Sequence, residues 1–131
     1  MVDKLPVSAV VFTKNEASNI AECLQSLCSF DEIFVIDSCS NDSTKTIAAK
    51  MGAKIIDFVW DGRYPKKRQW TIENVKYRNP WIFFVDADER MTDELVIELR
   101  TFLNQYSGKF DAGSIPIEYF FAGKRLKHGH R

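Results

Sequence analysis

The sequence is short of the features that mark several large classes of protein. Lysine plus arginine number 18 and aspartate plus glutamate also number 18, so the net charge is zero. A balanced chain with no long basic run offers no electrostatic footprint for nucleic acid, and no nucleic-acid partner is expected. Uninterrupted apolar runs stop at about five residues. That is far short of the roughly 20 that a membrane-spanning helix needs. The opening Met1-Val2-Asp3-Lys4-Leu5-Pro6 has no apolar stretch of the signal-peptide kind. Cysteines number only three, an odd count without metal-type spacing. Reduced thiols in a cytoplasmic protein are the expectation. Glycine is scarce at six residues. Neither Gly-x-Gly-x-x-Gly nor the Walker phosphate loop is present, which disfavours dinucleotide-binding and ATP-binding folds built on those loops. There is no internal repeat and no low-complexity tract.

What is present is an ordinary globular balance, 45% hydrophobic and 27% charged over 131 residues, enough for one domain, residues 1–131, with a real core. One stretch organises the rest: Trp81-Ile82-Phe83-Phe84-Val85-Asp86-Ala87-Asp88-Glu89. Five large apolar residues suit a strand buried on both faces. They run directly into three carboxylates. If the chain stays extended through residue 88, Asp86 and Asp88 point to the same side and repel each other. A hard divalent cation, completed by phosphate oxygens, would relieve that repulsion. The alternative is that these acids open the next helix, where its dipole favours negative charge. Thr92 has the chemistry of that helix's N-cap.

Around this stretch strand and helix patterns alternate four times. Strands are expected at residues 7–12, 32–36, 53–59 and 81–85. Helices are expected at 17–28, 44–51, 66–77 and 92–106, with Gly52 stopping the second and Trp70, Ile72, Val75 and Tyr77 as the apolar side of the third. A further strand is expected at 113–121. Alternation of this kind predicts an α/β fold with a mostly parallel sheet and right-handed crossovers. Ligands of such sheets collect at the carboxyl ends of the strands. The first strand delivers Thr13, Lys14, Asn15 and Glu16 there, the second Asp37 and Ser38, the fourth Asp86, Asp88 and Glu89. Arg63, Lys66, Lys67 and Arg68 follow the third. Cations for a diphosphate, acids for base and ribose, and a bridging metal make a nucleotide site. Plainer readings exist for each: Asp37 capping a turn, Lys67 and Arg68 opening a solvated helix, Glu16 as a first-turn acid. Trp60, Trp70 and Trp81 read as core or core-edge aromatics.

These residues carry a resemblance. Phe12-Thr13-Lys14-Asn15-Glu16 is similar to the Pro-Thr-Tyr-Asn-Glu opening of family 2 glycosyltransferases. Val35 to Thr44 resembles their second strand and its Asp-x-x-Ser-x-Asp-x-Thr loop. Lys67-Arg68-Gln69 resembles their basic element, and Asp86-Ala87-Asp88-Glu89 their Asp-x-Asp signature. All four lie in the family's order across residues 7–104. The segment from Tyr119 to His130 is similar to a subset that resembles lipopolysaccharide-core glucosyltransferases.

The resemblance implies a GT-A fold and sugar transfer from a nucleotide-diphosphate donor, with a UDP-sugar favoured. The acceptor would be a saccharide or lipid-linked molecule of the cell envelope. By position, Phe12, Thr13 and Asn15 would cradle the nucleoside and Glu16 would lie near the ribose. Asp37 would bond the base, and Arg68 would lie near base or diphosphate. Asp86 would reach ribose and metal, and Asp88 would ligate Mg²⁺ or Mn²⁺. The family's usual inverting displacement needs a carboxylate base. That base normally lies beyond the segment present here, and about half of a typical catalytic domain is covered. No residue is assigned as the base; Glu89 and Glu118 are candidates, and His128 and His130 have no assigned role. A fragment or shortened relative that binds donor without turnover is one alternative. A sugar nucleotidyltransferase is another, although no glycine-rich signature follows Phe12. An incomplete sheet leaves an edge, so self-association is expected around residues 115–121. Peripheral contact with the inner membrane follows from the resemblance alone.

Overall fold

A computed structural model describes residues 4–59, 67–106, 119–121 and 124–126. The chain divides into two compact units, Met1–Glu98 and Leu99–Arg131. In the first, β1 (Leu5–Thr13), β2 (Phe30–Asp37), β3 (Lys54–Asp57) and β4 (Trp81–Asp86) form one four-stranded sheet in the order β3-β2-β1-β4. Every pairing is parallel. The helices are α1 (Ile20–Ser26), α2 (Thr44–Lys50), α3 (Lys67–Asn74) and α4 (Asp93–Tyr106), the last crossing the division between units. The second unit also holds an antiparallel pair, β5 (Tyr119–Phe121) with β6 (Lys124–Leu126).

The strands form because their sequences are apolar on both faces. Val7, Ala9, Val10, Val11, Val35 and Ile36 are all but fully buried. Each such valine or isoleucine contributes about 1.5–3 kcal/mol on leaving water. Pleating divides them between two layers. Val10, Phe34 and Ile36 pack with Phe58 and Val75, flanked by Trp70 of α3 and by Tyr77. Ile20, Cys23, Leu24 and Leu27 are the buried residues of α1 and its C-terminal turn.

The strand order locates the ligand-binding end. Moving from β1 to β2 to β3 travels one way across the sheet, and β4 then returns to the far side of β1. The reversal therefore lies between β1 and β4, and the space outside the carboxyl ends of these two strands is where open α/β sheets bind their ligands.

Four details depart from the sequence reading. The first helix begins at Ile20, not residue 17. The Ala17 N–H is taken by Asp42 Oδ2 (3.2 Å), so residues 17–19 form a turn that belongs to the loop. The third strand is confined to Lys54–Asp57, and Val59 is exposed. The third helix ends at Asn74, not residue 77; Ile72 on it is 51% exposed, and the packed side is made by Trp70 of α3 with Val75 and Tyr77 of the segment that follows. Finally, β4 stops at Asp86, and residues 87–88 form a turn closed by the Glu89 N–H on the Asp86 carbonyl (2.9 Å). The extended chain assumed through Asp88 is absent, because the local 86–89 hydrogen bonds compete successfully with further extension.

Other expectations hold. Thr92 Oγ1 accepts the Leu95 N–H (3.1 Å) as the cap of α4, whose first turn carries Asp93 and Glu94. Gly52 ends α2 at φ +90°. Of the strand expected at 113–121, Tyr119–Phe121 is observed. The remainder lies outside the described residues, as do Trp60, Arg63, Lys66, Glu118, His128, His130 and the core of the expected self-association segment.

Candidate functional site at the carboxyl ends of β1, β2 and β4

The loops leaving β1 and β2 are built as one unit. Thr13 and Asp37 are register partners at the ends of their strands, and Thr13 Oγ1 donates to Asp37 Oδ1 (2.6 Å). Ser40 adds its hydroxyl to the same oxygen (2.6 Å) and its N–H to Oδ2 (2.9 Å). Asp37 is 0% exposed. Burial pushes its carboxyl up, but the bonds from Ser40 and Thr13 outweigh that and hold it below the usual carboxylate range. Five more bonds cross between the loops. The Asn15 N–H donates to Ser40 Oγ, the Asn41 N–H to Asn15 Oδ1, and Lys14 Nζ to the Cys39 carbonyl. The Glu16 N–H donates to Thr44 Oγ1, and the Ala17 N–H to Asp42 Oδ2. Asn15 and Cys39 both adopt left-handed φ, 54° and 57°. Strained backbone of this kind persists where surrounding bonds over-determine it, and it clusters at binding sites.

The acidic turn lies on the other side of β1. Asp86 is the register partner of Phe12. Asp37 and Asp86 thus flank β1 about two strand spacings apart, roughly 10 Å, and leave on opposite faces of the pleat. Ala87 is fully buried while Asp86 and Asp88 are exposed. The turn therefore anchors on its methyl group and presents both flanking carboxylates outward. Glu89 is not a helix-opening acid, since α4 starts at Asp93. Its Oε1 accepts the Asp86 N–H (2.7 Å) and closes the turn from the side-chain end. Beneath the turn, burial pushes the Cys23 thiol up to about 12. It remains an S–H donor, directed at the Asp86 carbonyl (3.8 Å).

Cations enter from the start of α3. Phe12 and Phe84 stack with centroids 5.6 Å apart. The Arg68 guanidinium lies 5.1 Å from the Phe84 centroid and 5.4 Å from that of Phe12. Lys67 Nζ lies 5.1 Å over Phe12. Burial pulls the Lys67 ammonium below its ordinary range, against the opposing pull of Asp37 and Asp86. The sequence reading placed Lys67 among the cations that follow the third strand, with a solvated helix start as the alternative. The fold makes it a half-buried cation within electrostatic reach of both acids, and no spacing in the sequence signals that. Arg90 was also missed, although it donates to the Ala87 and Glu89 carbonyls of the acidic turn.

Every sequence-selected site residue among the described ones lies at this end of the sheet: Phe12, Thr13, Asn15, Glu16, Asp37, Arg68, Asp86 and Asp88. No group of three or more metal-ligating side chains occurs among the described residues. Two exposed carboxylates on a tight turn are a partial set of hard oxygen donors. Such a set suits Mg²⁺ or Mn²⁺ held jointly with substrate phosphates rather than in an all-protein cage.

Comparison with known proteins settles the family. The sequence profile described as Glycosyl transferase family 2 matches residues 8–127. The chain belongs to that family. Among family 2 relatives, an uncharacterized glycosyltransferase of Rickettsia felis is 39% identical over 94 residues, covering 71% of this chain and 32% of its own. The lipopolysaccharide core biosynthesis glycosyltransferase LpsC of Rhizobium meliloti is 34% identical over 103 residues, 72% of this chain and 36% of its own. A crystal structure of S. aureus TarS, residues 1–349, superposes with a TM-score of 0.64 at 25% identity, covering 79% of this chain and 33% of TarS. The parallel sheet with flanking helices is the GT-A arrangement of this family. The chain spans about a third of the length of the curated relatives it matches.

Proposed function

We propose that this chain is the donor-binding part of a family 2 glycosyltransferase that takes a UDP-sugar together with Mg²⁺ or Mn²⁺. The acceptor is a saccharide or lipid-linked molecule of the cell envelope, a reading supported by the likeness to LpsC. One observation carries the proposal. The Asp86–Glu89 turn and the braced Thr13–Glu16 loop leave adjacent parallel strands at the point where strand order reverses.

In this reading the backbone of Phe12, Thr13 and Asn15 lines the nucleoside, with Glu16 toward the ribose. Asp37 first organises the loop. Three of its roughly four acceptor positions are filled, and the remaining one, on Oδ2, is covered along with the rest of the side chain, so a base imide N–H would take it only after the loop after β2 shifts aside. Lys67 and Arg68 offset diphosphate charge. Asp86 and Asp88 hold the cation, Asp86 also reaching the ribose. A bound divalent cation supplies Lewis-acid stabilisation of the departing diphosphate. The residues that hold it must be in place before the glycosidic bond breaks, because preorganised charge costs no rearrangement during the reaction. Inverting transfer additionally needs a carboxylate to deprotonate the acceptor hydroxyl. Glu89 is engaged with the Asp86 N–H, which leaves it a structural task in the turn.

Calorimetry of UDP binding with and without Mn²⁺, on the wild type and Asp88→Ala, tests the site. The wild type gains affinity roughly tenfold or more with Mn²⁺, and the variant loses that gain. UDP binding indifferent to metal, or a variant that keeps the gain, refutes it.

A further inference from the structure

The acidic turn is held by a residue outside the set assigned above. The Arg90 side chain, 31% exposed, folds back along the turn it follows. Its Nη1 donates to the Ala87 carbonyl and to the Glu89 carbonyl, both at 2.9 Å. Its Nη2 donates to Asn19 Oδ1 (3.2 Å) at the start of α1. Asn19 in turn donates through Nδ2 to Glu16 Oε1 (3.2 Å). One guanidinium therefore connects both carbonyls beside Asp88 to the loop that carries Glu16. The contact of Arg90 Nε with Glu22 (3.5 Å) involves a carboxylate 80% exposed and adds little. Two further bonds dock the same segment on α1. The Met91 N–H donates to Ser26 Oγ (3.0 Å), and the Cys23 thiol is directed at the Asp86 carbonyl.

We propose that Arg90 is a positioning residue: its fork fixes the orientation of Asp86 and Asp88 and couples the metal side of the site to the nucleotide side through Asn19 and Glu16. This rests on the donor-site reading above. The physical ground is the shortness of the turn. Only Ala87 is buried within it, so without Arg90 the carbonyls flanking Asp88 are free to rotate and the carboxylates lose their fixed direction. A planar fork with five donors satisfies three acceptors at once, whereas a lysine ammonium on a flexible stem places charge nearby without fixing geometry.

The test uses the full chain and three proteins: wild type, Arg90→Ala and Arg90→Lys. Amide exchange at Glu89, whose N–H closes the turn, is followed without ligand. Affinity is measured for UDP with and without Mn²⁺, and for UMP without metal. In both variants Glu89 exchange accelerates, and the Mn²⁺-dependent gain in UDP affinity falls roughly ten- to a hundredfold, the usual cost of losing a group that orients metal ligands. UMP affinity, which draws on Asp86 and Glu16 at the ribose but not on the metal, falls by less. An Arg90→Lys protein that behaves as wild type in both readouts would show that charge alone matters and overturn the proposal. Equal losses for UMP and Mn²⁺–UDP would overturn it too, since they would mark a general destabilisation. If Arg90→Ala does not fold, Arg90→Lys decides on the same readouts. If the wild type binds UDP without regard to metal, the donor-site reading fails, and Glu89 exchange still judges whether Arg90 holds the turn.

Discussion

Asp37 shows how much one carboxylate does at the residue scale. It receives Thr13 Oγ1, Ser40 Oγ and the Ser40 N–H with no exposure to solvent. Asp37→Ala strands three donors at the end of two central strands. Leaving buried donors unpaired costs about 1–3 kcal/mol each, partly recovered by water. A loss of about 2–4 kcal/mol is expected, read as a lower urea midpoint with unchanged slope. Asp37→Asn keeps the shape and loses less. This sets Asp37 apart from Asp88, whose exposed carboxylate makes no contribution to the core, so Asp88→Ala leaves the urea midpoint where it is. Both residues were selectable from the sequence, because an acid at the exit of an apolar strand is conspicuous. Their difference in burial was not, since it depends on Ser40 and Thr13 arriving from separate segments.

At the scale of elements, the strands were legible because each contains an apolar run, short in β3 and longer in β1, β2 and β4, and both β1 and β4 begin or end within two residues of expectation. Helix α1 was read three residues too long at its start, since the acceptor that takes the Ala17 N–H is the Asp42 carboxylate in another loop. The condition of an extended chain through Asp88 was not met, for a similar reason: the Glu89 side chain supplies the Asp86 N–H with a partner, and no periodicity announces it. Gly52 was legible, and its role can be tested. At φ +90° it has nothing within 4 Å of where a Cβ would stand, so Gly52→Ala meets strain only in the backbone. A loss of about 1 kcal/mol is expected in thermal or urea unfolding. An unchanged midpoint would mean that α2 can end another way.

On the scale of the whole sheet of the first unit, polar networks close both ends. The carboxyl end has Asp37. At the other, Glu32 accepts Lys54 Nζ (2.6 Å), Ser8 Oγ (2.8 Å) and the Arg78 N–H (2.9 Å). Burial pushes the Glu32 carboxyl up, and these three bonds together bring it below its usual range. Depressed carboxyls stabilise the folded state above their unfolded values and lose that contribution as pH falls through their folded values. Stability should therefore be level from about pH 7 to about pH 5 and decline below about pH 4. Urea midpoints across that span check it; a midpoint that rises on acidification contradicts it. No helix among the described residues is long and apolar enough to cross a membrane.

Taken alone, the amino-acid order determined the alternation of strand and helix, the parallel sheet, and which acids and cations emerge at strand ends, because apolar periodicity is a local property. Only the tertiary structure decided that the strand order reverses beside β1, that Asp37 is sealed while Asp86 and Asp88 face outward, that Arg90 holds the acidic turn and that Lys67 lies over Phe12. Those facts depend on hydrogen bonds and burial between residues that are distant in the chain, and no local pattern encodes such partners.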